Sequence, residues 1–180
     1  MRTVSVSIWL AAVLLLGGCG YRHSGMSGLP PAVAGKRITV AIFANRGYRA
    51  NMGAILAGSL IDEFARRTGG LVVAEKNADL KLDGTILTYT TTAISYTAAD
   101  TVKEYRATVT AECSLTERGS GKVVWKGTVT QWQDYPVNTA VTPPQNSDAI
   151  ALQQNSEDAA IREISRKIAR QIYQNISDGF

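Results

Sequence analysis

Histidine occurs once and cysteine twice in this 180-residue chain, and that scarcity removes several classes of function at the outset. The single imidazole, His23, sits in a Gly-, Ser- and Pro-containing stretch, where it is expected to be solvated, because a metal site needs several converging donors. Nowhere does the order of residues read as metal-ligand spacing, a phosphate-cradling glycine loop or a catalytic triad, so neither an enzyme nor a cofactor is expected. Charge is sparse as well. Lys and Arg number 19 against 15 Asp and Glu, a formal +4, too mild for the basic surface that nucleic acid demands. Internal repeats are missing, and so are long apolar runs, with one short exception: Val4 to Leu16, broken only by Ser5 and Ser7. Spanning a hydrocarbon core of about 30 Å takes roughly 20 residues, so this run does not cross a bilayer; behind Met1-Arg2 it reads as a secretory signal.

The run ends in Leu16-Gly17-Gly18-Cys19, small residues at a cleavage position followed by a cysteine. The stretch resembles a bacterial lipobox. That resemblance implies that residues 1–18 are removed on export and that Cys19 becomes the lipid-bearing first residue. A single acyl chain anchors only marginally, at about 0.8 kcal/mol per buried CH₂, whereas the several chains of bacterial lipoproteins hold stably. Gly20 stands where lipoproteins kept in the inner membrane often have Asp, so the expected location is the periplasmic face of the outer membrane. Cleavage leaves 162 residues with a formal +3, enough for one domain with a sizeable core. With Cys19 lipidated, Cys113 has no intramolecular partner, and the domain must rely on that core. Residues 19–35, with Pro30-Pro31 and no apolar periodicity, are read as a flexible tether, and 36–180 as the domain.

From Arg37 the pattern changes. Ile38 to Phe43 is apolar and β-branched, a buried strand running into Ala44-Asn45-Arg46-Gly47. Met52, Ile55, Leu56, Leu60 and Phe64 recur at helical spacing until Gly69-Gly70 stops them, and the stripe is assigned to packing on the domain's own sheet. Leu71 to Glu75 reads as a short strand. Asp79 to Tyr96 reads as a long one, with Leu80, Leu82 and Ile86 on one side, a bend or bulge expected at Gly84, and a Thr-rich end that continues past the sheet or forms an edge. Tyr105, Ala107, Val109, Ala111, Cys113 and Leu115 alternate with polar residues, so one face is apolar, the other wet, and Cys113 is a core thiol. A turn at 117–121 returns the chain as Lys122 to Trp132, with Val123, Trp125 and Val129 on one side and Lys126, Thr128 and Thr130 on the other. Residues 134–155 read as a long loop. Ser156 then caps a helix whose Ile161, Ile164, Ile168, Ile172 and Ile176 form a stripe among arginines; sheet packing is preferred over a membrane-surface role. The expected fold is α+β, a single domain of order β-α-β-β-β-α, two helices packed on one face of a mixed or mostly antiparallel four-stranded sheet.

Several short motifs in this order resemble one family. Cys19-Gly20-Tyr21, Val40 to Arg46, Leu82-Asp83-Gly84-Thr85-Ile86, Ser95-Tyr96, Glu104-Tyr105-Arg106, Gly121 to Trp125 and Tyr135-Pro136 are similar to the lipopolysaccharide-assembly lipoproteins of the LptE family. Ala41 departs from the Pro expected before the Phe, and residues 136–155 match nothing in the family pattern. The resemblance implies a small domain seated as plug and assembly factor in the LptD β-barrel, binding lipopolysaccharide as the barrel inserts it into the outer leaflet. Chemistry and strand pattern add candidates. Phosphate-bearing lipopolysaccharide needs exposed cations, and Lys103, Arg106, Lys122 and Lys126 fall on or beside the central strands. A polar barrel lumen needs hydroxyls and amides, and Tyr89, Thr91 and Val141 are the barrel-contact candidates. The alternative keeps anchor and fold but makes the domain an adaptor or activator of a periplasmic peptidoglycan synthase.

Overall fold

The computed structural model describes residues 29–30, 32–137 and 147–178, the last stretch with side chains from 150 onward. Cys19, the lipobox and Val141 lie outside these residues. Strand β1 (Ile38–Val40) and the two-residue β2 (Ala44–Asn45) precede helix α1 (Met52–Thr68); β3 (Leu80–Tyr96), β4 (Val102–Glu117) and β5 (Val123–Pro136) follow, and helix α2 (Ser147–Asp178) closes the chain. The sheet runs β1-β3-β4-β5, with β2 also beside β3. β1 and β2 lie parallel to β3, while β3–β4 and β4–β5 are antiparallel. The mixed α+β sheet is the one expected, with five strands instead of four. The extra strand arises because Phe43 breaks the first one by turning into the core over Gly84, where a Cβ would lie 2.5 Å from its ring. Gly84 therefore serves close approach, and β3 carries no bulge there: pairing with β4 continues unbroken from Leu80 to Ile86.

The helical stripes dock on the alternating face of the strands. Met52, Leu56, Leu60 and Phe64 of α1, and Ile161, Ile164, Ile168, Ile172 and Ile176 of α2, share one core with Leu80, Leu82, Ile86, Val109, Ala111 and Leu115. Each such large apolar side chain contributes about 1.5–3 kcal/mol when fully buried, so the nine helix residues are a large part of what holds the domain together. α1 is stopped by Gly69 in the left-handed conformation (φ 64°). The two helices run parallel, since Arg49 just before α1 pairs with Asp158 early in α2, and Phe64 late in α1 meets Tyr173 late in α2 at 5.2 Å between rings. Cys113 is buried as expected, and burial pushes its thiol up to about 12.

Four local expectations are corrected. Leu71 to Glu75 forms no strand, only an isolated bridge from Val72 to Ile38 and a 3₁₀ turn at Glu75–Asn77. Leu29 and Val33 are buried, so part of the span read as tether belongs to the packed body. β5 runs on to Pro136, and α2 starts nine residues before Ser156. Its first turns carry helix formers but no apolar stripe, because they project beyond the core and leave Ile150 and Leu152 exposed. Finally, a register shift at Val124 turns Val123 outward, 53% exposed, while Val124 and Trp125 pack against the core.

Candidate functional site

The helices cover one face of β3, β4 and β5 and leave the other open. Side chains opposite the core alternate form rows across the three strands. Thr88, Thr110 and Thr130 stand in register, as do Thr90, Thr108 and Trp132, and then Thr92, Arg106 and Asp134. Thr110 and Thr130 join hydroxyls at 3.0 Å. Threonine suits this place because its branched Cβ favours the pleat while its hydroxyl keeps the face wet. Nearer the β1 end the rows become charged: Lys126 pairs with Glu112 at 3.3 Å, Lys81 with Asp83 at 3.5 Å, and Ser114 donates to Asp83. These residues, with exposed Ile42 and Val123, line a shallow depression of about 530 Å³. Its two ammonium groups and two carboxylates balance, so it holds no net charge for an anion.

Arg106 is the most constrained cation of the open face. Its guanidinium donates to both carboxylate oxygens of Asp134, at 2.7 and 3.0 Å, and lies 3.9 Å over the Trp132 ring. The hydrogen bond to Asp134 raises Arg106 above its ordinary pKa, and the same contact holds Asp134 below the usual carboxylate range. Lys167 of α2 reaches the β5 edge, donating to the Trp132 carbonyl at 3.0 Å with its ammonium 5.4 Å from the same ring. Trp132 is thus held between two cations. Strand alternation placed its neighbour Thr130 on the wet side, a signal sufficient to find Trp132; Asp134 becomes visible only once the register is known.

The four candidate cations do not converge. Arg106 and Lys126 are already engaged by carboxylates. Lys103 and Lys122 are exposed and form no ion pair among the described residues, but they stand at opposite ends of the β4–β5 ladder, roughly 45 Å apart at about 3.3 Å per residue. Of the barrel-contact candidates, Thr91 is exposed on the part of β3 that lies beyond β2. Tyr89 is turned inward instead, 4% exposed, because a register shift at Leu87 reverses the alternation after Ile86. Its hydroxyl donates to Glu157 of α2, and its ring packs on Tyr48 at 5.2 Å. Burial first, then the Glu157 carboxylate, raises its pKa. Arg49 completes the cluster, 3.6 Å from Glu157 and 2.7 Å from Asp158. Tyr89 therefore ties the projecting start of α2 to the sheet.

Comparison with solved structures yields the same architecture. A putative lipoprotein from Caulobacter crescentus is 15% identical, with TM-score 0.50 over 75% of this chain and 87% of that one. Rare lipoprotein B from Shewanella oneidensis is 15% identical, with TM-score 0.50 over 78% and 95%. Lipoprotein B from Nitrosomonas europaea is 13% identical, with TM-score 0.51 over 88% and 90%. At such identities the likeness is one of fold. No curated protein matches the sequence. The family profile described as LptE, lipopolysaccharide-assembly, matches residues 35–176, a span that holds both helices' core stripes, all five strands and the open face. The chain belongs to the LptE family of lipopolysaccharide-assembly lipoproteins.

Proposed function

We propose that this lipoprotein is the partner of a large outer-membrane β-barrel of the LptD type, seated in its lumen as plug and assembly factor, and that it contacts lipopolysaccharide during delivery to the outer leaflet. The observation that carries the reading is the uncovered face of β3–β4–β5, whose rows of hydroxyls and matched charges suit the polar wall of a barrel lumen. The lipid on Cys19 keeps the domain at the periplasmic side of the outer membrane. Thr91, on the exposed run of β3, and Val141 are positions for barrel contact. Lys103 and Lys122 offer charge to lipid A phosphates directly, whereas Arg106 and Lys126 must first exchange a carboxylate for a phosphate.

Photocrosslinking from Thr91, Thr108 and Val141, followed by recovery from detergent-solubilised outer membranes, tests the partnership. A large barrel protein in the adducts is the expected result. Recovery of a peptidoglycan synthase, or no adduct from any position, overturns it. Lipopolysaccharide binding by Lys103→Glu and Lys122→Glu is measured separately: undiminished binding at moderate salt removes both from the site.

A further inference from the structure

The domain has two unlike ends, and the chain comes in at only one of them. Leu29, the first described residue, lines a cavity of about 460 Å³ together with Gly35, Leu71 and the last turn of α1, including Arg66 and Arg67. Lys36 pairs with Glu117 at the end of β4, and Arg118, in the β4–β5 turn, donates to the carbonyl of Glu75 in the 3₁₀ turn. Those contacts gather the incoming chain, the end of α1, the 3₁₀ turn and the β4–β5 turn into one pole. The β3–β4 turn at 97–101 and the start of α2 form the other.

Among the described residues, seven basic side chains meet five carboxylates at the incoming pole. Arg37 pairs with Asp79 and Lys36 with Glu117. Glu63 is buried, yet it is shared by Arg66 and Arg67, both more than half exposed, which leaves that cluster positive. Lys76, Arg118 and Lys122 are exposed and carry no ion pair among the described residues; Glu75 and Asp178 are the remaining carboxylates. The cavity between the incoming chain and Arg66–Arg67 is lined by Leu29, Ala34 and Leu71. A positive rim around an apolar recess is the chemistry of a surface that meets anionic lipid headgroups.

Chain length fixes which pole can do so. Nine residues lie between Cys19 and Leu29, at most about 35 Å of chain, whereas the 17-residue β3 extends about 55 Å. A lipid on Cys19 therefore keeps the incoming pole within reach of the bilayer, and the far turn is free to stand away from it.

We infer that, while the domain is outside a barrel lumen, the pole formed by the incoming chain, the end of α1, the 3₁₀ turn and the β4–β5 turn docks on the anionic glycerophospholipid headgroups of the anchoring membrane, orienting the domain with its far turn away from that surface. The inference rests on the lipid-anchor reading of Cys19. Each basic residue near an anionic surface contributes about fivefold in binding, an effect that fades as salt shortens the Debye length.

The test floats the full lipidated chain on vesicles of phosphatidylcholine with or without phosphatidylglycerol and follows amine labelling by mass spectrometry. Flotation on both is expected, with Lys76 and Lys122 labelled several-fold more slowly on the phosphatidylglycerol vesicles and Lys103 labelled equally on both. Flotation on both with equal labelling of all three lysines overturns the docking and leaves the anchor standing. Flotation only with phosphatidylglycerol, reversed by salt, supports the docking and removes the anchor. Flotation on neither overturns both. Lys76→Glu with Lys122→Glu, two exposed positions outside the core, should abolish the salt-sensitive part of binding and leave Lys36, which docking slows in the parent chain, labelled equally on both vesicles; persistence of either effect counts against the docking.

Discussion

The two faces of β3, β4 and β5 are built from the same strands by the same two-residue alternation, yet they are held by different forces. On the covered face, side chains are apolar and pressed under two helices; on the open face they are hydroxyls and matched ions in water. The covered face sets whether the domain folds, because stability follows apolar area removed from water. The open face contributes little to folding, since exposed ion pairs and hydroxyl contacts trade one hydrated partner for another. A sheet of this kind can keep a reactive-free, adaptable surface without cost to its core.

The largest test of that contrast is Ile168→Ala. Ile168 is fully buried in the middle of α2, so its truncation should cost about 2–5 kcal/mol and be read as a lower denaturant midpoint with unchanged slope. A cost below about 1 kcal/mol would mean that α2 is not seated on the sheet.

Tyr89→Phe addresses the place where the faces exchange roles. After the shift at Leu87, a residue of the hydroxyl-rich run enters the covered side and donates to Glu157. Losing a hydrogen bond to a half-buried carboxylate should cost about 1.5–3 kcal/mol. Backbone hydrogen exchange in residues 150–158 should speed up most, because none of these residues is buried in the core. Uniform acceleration over the whole domain would contradict the local role.

Why the sequence showed some of this and hid the rest follows from where each signal originates. Ile161 to Ile176 and Tyr105 to Leu115 were legible because their periodicity is imposed by the core they face. Tyr89 and Val123 were misplaced because a single extra residue inverts the alternation on one side of it, after Leu87 in β3 and before Val124 in β5, and no local composition marks it. The early turns of α2 were hidden because they bury too little to need a stripe. In the candidate site, cationic residues and the wet face were readable, but the partners that occupy those cations were not: Asp134 lies 28 residues from Arg106, and Lys126 stands opposite Ser114 and reaches Glu112 diagonally across the β4–β5 register.

The ion pairs at the rim predict an acid-sensitive midpoint. Arg37, through a side-chain and then a backbone hydrogen bond, lowers Asp79 from about 3.8 to about 2. A depressed folded pKa means the unfolded chain binds the proton first, so the contribution is complete above about pH 4 and is lost as pH falls toward 2. Asp134, Glu117 and Glu163 shift in the same direction through Arg106, Lys36 and Arg166. Asp79→Asn should flatten the fall of the denaturation midpoint between pH 4 and 2; an unaltered profile would show that this pair does not couple to folding.

The smallest expected change is the most informative about the open face. Thr110→Val keeps the branched Cβ that suits a central strand and removes only the hydroxyl shared with Thr130, an exposed contact. Its stability should stay within about 0.5 kcal/mol of the parent. If the face is the barrel-contacting surface, the same substitution should reduce recovery of the barrel in crosslinking, because the lost hydroxyl met the partner's polar wall and not the domain's own core. A loss of 2 kcal/mol or more would reverse the contrast, since it would make the hydroxyl row a structural element of the sheet. Unchanged stability with unchanged barrel recovery would confine the contact to other rows, and moving the substitution along Thr88, Thr108 and Thr128 would then map where on the open face a partner sits.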